Sequence, residues 1–125
     1  MSQTQAGELL AAVRAFLRSD VVPQLEGFSA YTARVAANSL AIVLRELELG
    51  EALSEIDARA GVRLAIDPQE GPVPQQLAIR LRDGSIQPDP EVLQYLKRRT
   101  LKALEIDNPK YSGYVQARAC WNLED

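Results

Sequence analysis

FSAYTARVAANSLAIVLRELEL, residues 28–49, is apolar almost all the way around a helix. At about 100° per residue, Phe28, Tyr31, Val35, Leu40, Ile42, Val43, Leu44, Leu47 and Leu49 cover most of the wheel. One narrow polar stripe survives, Arg34, Asn38 and Arg45, closed at its far end by Glu48. A helix that is apolar on nearly every side belongs at the centre of a bundle. The expected fold is therefore all-α, a compact bundle of about four to six helices around a buried central helix over residues 28–49. The whole chain, 1–125, reads as a single domain.

Working outward, a first helix is expected from near Thr4 to about Arg18, because Leu9, Leu10, Val13, Phe16 and Leu17 make one apolar face. Pro23 disfavours helical geometry at Val22, and Gly27 closes a short turn. Gly50 reads as the C-terminal stop of the central helix. Glu51 to about Leu64 reads as a separate helical segment on the spacing Leu53, Ile56, Ala60 and Leu64, weakened by Gly61. A proline-rich loop is expected at 67–74, where three prolines deny the chain helical hydrogen bonds. Residues 75–82 read as a short helix ended at Asp83–Gly84. The alternation Val62, Leu64, Ile66 and Leu77, Ile79, Leu81 leaves a small hairpin across the loop as the alternative. The last helix follows Asp89, a natural N-cap, with Pro90 in the first helical position. A tail is expected over 108–125.

Composition narrows the chemistry. Hydrophobic residues at 46% and charged residues at 25% are ordinary for a globular chain and argue against disorder. A net charge of −3 carries no electrostatic footprint for nucleic acid, and no basic cluster suits an anionic membrane surface. The chain has no histidine, so the commonest general base and metal ligand are missing. Cys120 is alone and cannot form an internal disulfide. With no visible signal peptide and no apolar run long enough to span a bilayer, the cytoplasm is the default compartment. No catalytic residue, metal site or cofactor is indicated.

Three phrases carry a resemblance: ELLAAVRAFLRSDVVPQLEG (8–27), ARVAANSLAIVLRELELG (33–50) and LKALEIDNPKYSGY (101–114). Together they resemble a small bacterial family of uncharacterised proteins. Its members are typically encoded beside aminoglycoside-phosphotransferase-like kinases and acyl-CoA dehydrogenases. The resemblance runs from about Gly7 to Gly113 and is weakest around Asp67 to Gln76. It implies a helical fold and a link to acyl-CoA or phosphotransferase metabolism, and it carries no catalytic residue.

The candidate ligand-binding residues are Arg34, Asn38, Arg45, Asn108 and Tyr111. The first three project from one side of an otherwise apolar helix, where guanidinium forks and a carboxamide suit a carboxylate or phosphate. The plain alternative is an exposed helix edge. Asn108 and Tyr111 sit in an ordered Asn-Pro…Ser-Gly turn that equally serves as a helix stop. Lys97, Arg98, Arg99 and Lys102 suit an anionic partner or simply complement a helix dipole. Asp57, Asp67 and Glu70 would hold a hard cation only if the fold gathers them.

The favoured reading is a non-catalytic accessory or interaction protein. Its partner would be the phosphotransferase-like kinase or the acyl-CoA dehydrogenase, and a homo-oligomer fits any helical face left uncovered. The alternative is a small-molecule module for an anionic ligand such as an acyl-CoA or phosphate ester. An enzyme working with carboxylates and arginines alone is the third.

Overall fold

The computed structural model of the chain describes residues 1–123. Among the described residues there are five α-helices and no strand: α1 (Gln3–Phe16), α2 (Gly27–Arg63), α3 (Val73–Asp83), α4 (Pro90–Asp107) and α5 (Ser112–Cys120). The fold is all-α, as the apolar periodicities require. The domain expected over 1–125 is organised as two compact units, Met1–Gly50 and Glu51–Asp125. No helix among the described residues is long and apolar enough to cross a membrane.

Gly50 does not stop its helix. Residues 27–63 form one helix of 37 residues, because Leu49, Leu53, Ile56 and Ala60 continue one apolar stripe straight through the glycine. A glycine inside a helix costs only about 1 kcal/mol relative to alanine, too little to break a run that good helix formers flank.

In the first unit, Ser2 and Gln5 close a capping box at the start of α1: the Ser2 hydroxyl accepts from the Gln5 amide at 3.1 Å, and the Ser2 amide donates to Gln5 Oε1 at 2.8 Å. The helical path does not break at Val22. Leu17–Val21 widen into a π-helical turn and Val22–Gln24 tighten into a 3-10 turn. The Val22 amide reaches the Leu17 carbonyl, and this local widening makes room for the Pro23 ring inside a still-helical run. Leu25 is the first residue to turn extended, and Gly27 takes φ +60 as the first residue of α2. The Gln3 side-chain amide donates to the Leu47 carbonyl. At about 1.5 Å per residue, the run 3–24 matches the length of α2 from Gly27 to Leu47, so the two form an antiparallel helical hairpin.

That hairpin overturns the expectation of a central helix buried all round. Within 28–49 only Ala30, Ala37 and Ala41 are buried, while Phe28 is 81% exposed and Tyr31 58%. Burial in this stretch is confined to the alanine face, and the last part of α2 belongs to the other unit.

The second unit has its own core of Ala60, Ile66, Val73, Leu77, Val92 and Tyr95, with Leu77 and Val92 fully enclosed. The end of α2 delivers Ile66 to it through a Schellman turn: the Ile66 amide donates to Gly61 O at 2.8 Å and the Ala65 amide to Val62 O at 3.4 Å. Ala65 occupies the left-handed position, φ 54, that usually holds glycine. At Gly61 a side chain would meet Val73 Cγ2 at 3.1 Å, so glycine allows α2 and α3 to touch. The proline loop is shorter than expected: Pro68–Glu70 form a 3-10 turn capped by Asp67, and α3 starts at Val73. Pro74 then lies in the first turn of α3, where its missing amide hydrogen costs nothing. The hairpin alternative is thereby excluded among the described residues. Gly84 ends α3 in left-handed geometry, φ 82, and the Asp89 carboxylate caps α4 by accepting from the Val92 amide at 2.9 Å. The segment expected as a tail carries α5, anchored by buried Tyr114.

These two backbone positions predict opposite exchanges. Gly50→Ala removes a helix-interior glycine, and Ala65→Gly relieves a left-handed alanine. Each is expected to raise unfolding free energy by about 0.5–1 kcal/mol in urea titration. A β-carbon at residue 50 would meet Glu46 Oε1 at 2.8 Å, the end of a flexible side chain that can swing away; destabilisation by Gly50→Ala that persists in a Glu46→Ala background would show that the helix does not run through residue 50.

Candidate functional site

Two features stand out, one in each unit. In the first, Phe28, Tyr31, Val35, Ile42 and Leu49 fall within about 60° of arc on α2, opposite the buried alanines. Their spacing of three, four, seven and seven residues is a heptad seam. Asn38 and Arg45 occupy the remaining heptad positions of this seam, and Arg34 borders it. Leu9, Val13 and Phe16 of α1 are also exposed, at i, i+4 and i+7. The five expected site residues are therefore divided: Arg34, Asn38 and Arg45 in the first unit, Asn108 and Tyr111 in the second. Arg34 and Asn38 are exposed and Arg45 is half-buried.

Asn108 and Tyr111 form the link between α4 and α5. The Asn108 amide donates to Leu104 O at 2.8 Å, and its carbonyl accepts from the Tyr111 amide at 3.1 Å. The Asn108 side chain accepts from the Lys110 amide, as a turn-forming asparagine does. The Tyr111 ring lies against Gly113, with Cε1 2.5 Å from where a β-carbon would stand.

The second feature is a cavity of about 580 Å³ in the second unit, between the last turns of α2 and the first turns of α4. Ile56, Ala60, Leu64 and the ring of Tyr95 form its apolar part. Arg59, Arg63 and Arg98 line it with Glu91 as the one carboxylate. Residues 56, 59, 60 and 63 share one face of α2, and 91, 94, 95 and 98 one face of α4, as helical spacing dictates.

Behind this cavity lies a contact that sequence reading missed. Tyr95 Oη donates to Asp57 Oδ1 at 2.7 Å, and Arg99 Nε donates to the same oxygen at 3.0 Å. The three residues are 38 and 42 positions apart in sequence, and no local motif announces the pairing. Burial first, and the hydrogen bond to Asp57 second, raise the Tyr95 phenol above its ordinary value near 10.

The basic run Lys97–Lys102 is dispersed by the helix rather than pooled. Lys97 Nζ stands 5.7 Å from the Trp121 ring centroid, Arg98 lines the cavity, Arg99 pairs with Asp57 and Lys102 pairs with Glu105 at 3.0 Å. The carboxylates considered for a cation are likewise engaged elsewhere. Asp57 serves Tyr95 and Arg99, Asp67 caps a turn, and Glu70 accepts from Arg80 at 3.4 Å. Among the described residues no group of three or more His, Cys, Asp or Glu gathers to hold a metal.

An all-helical protein with an open heptad seam and an arginine-lined cavity is the class these features define. Residues 23–111 match the family described as a domain of unknown function, DUF6285, and the chain belongs to it. The matched span includes all of α2, α3 and α4, and every cavity residue named above. Nothing among curated proteins or solved structures matches the chain.

Tyr95 gives a direct test. In an alkaline titration read by tyrosinate absorbance, Tyr95 is expected to ionise above the ordinary phenol value near 10, and Tyr95→Phe should remove that late step. A raised phenol pKa contributes stability below the ordinary value near 10, and that stability is lost as pH climbs through the folded-state value. The Tyr95→Phe variant should therefore lose about 1–2 kcal/mol at neutral pH and show a flatter decline of stability above pH 10.

Proposed function

We propose that this chain is a non-catalytic interaction protein that presents the seam Phe28–Leu49 to a helix of another protein. The observation that carries the reading is the exposure of apolar side chains along α2 and α1. At roughly 200 Å² each, Phe16, Phe28 and Tyr31 alone leave on the order of 400 Å² open. That is about half of what one partner contributes to a standard interface. Large apolar side chains exposed to this extent mark a place for another chain. Asn38 and Arg45, at the polar heptad positions, would set register in such a contact, as buried polar residues do in coiled coils.

The occupant we propose is an enzyme of the kind the resemblance names, a phosphotransferase-like kinase or an acyl-CoA dehydrogenase, in the cytoplasm of a bacterium. A second copy of this chain is the competing occupant. The hairpins of the two copies, one from each, would close into a four-helix arrangement around the same seam.

Co-expression followed by size-exclusion chromatography with light scattering distinguishes the outcomes. A complex with either enzyme, lost in the double variant Val35→Asp/Ile42→Asp with helicity retained, supports the proposal. A homodimer lost in the same variant replaces the enzyme by a second copy. A chain that is monomeric alone and unchanged by both enzymes overturns the reading.

A further inference from the structure

We infer that the cavity between the ends of α2 and α4 is a binding site for an amphipathic anion, a carboxylate or phosphate head carrying an apolar tail. Its volume of about 580 Å³ falls within the range of small-molecule sites. Three guanidiniums line it against a single carboxylate, Glu91, so the lining favours negative charge. The arginines are not equivalent. Arg59 is held by Glu55 at 2.6 Å, whereas among the described residues neither Arg63 nor Arg98 has a carboxylate partner. Those two, one on each helix, present planar forks suited to a carboxylate or phosphate.

The apolar side of the cavity supplies the second half of the recognition. Ala60 and Tyr95 are buried and Ile56 and Leu64 half-buried, and a bare inorganic anion would leave this surface wet. An alkyl or aryl tail covers it while the head stays at the guanidiniums. Tyr95 is fixed by its bond to Asp57, so its ring offers the tail a rigid wall.

The protein carries its own reporter. Trp121 is the only tryptophan and neighbours Asn122, which lines the cavity. The full chain would be titrated with decanoate, decyl phosphate, inorganic phosphate and decanol, below micellar concentrations, and followed by Trp121 fluorescence and calorimetry. Saturable binding of decanoate or decyl phosphate is expected, and whichever binds more tightly identifies the head group. Decanol and inorganic phosphate should each bind at least about tenfold more weakly. Arg63→Gln and Arg98→Gln, with helicity and thermal midpoint unchanged, should each weaken the tailed anion about tenfold.

Decanol binding as tightly as decanoate would overturn the role of the arginines, and so would full affinity in both glutamine variants. Inorganic phosphate binding as tightly as decyl phosphate would overturn the role of the apolar wall, and no saturable binding would overturn the site. The head-group series needs no substitution, so it decides the matter even if a variant fails to fold. The cavity belongs to the second unit and the seam to the first, so failure of one proposal leaves the other standing.

Discussion

The hydrogen-bonded continuity of α2 through Gly50 is the constraint that shapes the other features. Helix propagation adds one bond for each residue fixed, and the apolar stripe resumes immediately beyond the glycine. The penalty for one flexible residue is therefore outweighed. Continuity assigns the first half of the rod to a hairpin with α1 and its last turns to the second core. In that first half the alanine side is the buried one. Phe28, Tyr31, Val35 and Ile42 stay exposed.

The second unit shows how a short helix end becomes a site. Gly61 permits the close approach of Val73, and the Schellman turn directs Ile66 into the core. Arg80 Nη1 donates to the Ala65 carbonyl at 3.1 Å, tying α3 to that same turn. With α2, α3 and α4 held around Leu77 and Val92, the faces carrying Arg59, Arg63 and Arg98 are left bordering a cavity. The bond network at Asp57 Oδ1 locks Tyr95 and Arg99 behind it. Buried or half-buried polar groups need partners, and here one oxygen satisfies a phenol and a guanidinium together.

Much of this was legible in local residue patterns. Asp89–Pro90 marks the start of α4, Asp83–Gly84 marks the end of α3, and the face of Leu9, Leu10, Val13, Phe16 and Leu17 predicts α1. Each is a short-range signal, acting within one helical turn, and each appears where its chemistry places it. Gly50 misled because a glycine stops a helix only when the residues beyond it cannot continue the run, and Glu51-Ala-Leu53 is good helix sequence. Pro23 misled in the same manner, since a π-helical turn absorbs it without ending the run.

Local chemistry, then, determined the helical class, the end of α3 and the start of α4, while the hairpin alternative over 62–82 stayed open until the chain's packing was known. What covers the wheel of 28–49 was beyond local chemistry, because burial depends on how many neighbours the rest of the chain can supply. Likewise Asp57, Tyr95 and Arg99 stand about forty residues apart in the chain and meet only when α2 and α4 pack. Periodicity reports which side of a helix is greasy; only packing decides whether that side meets this chain's own core or faces outward.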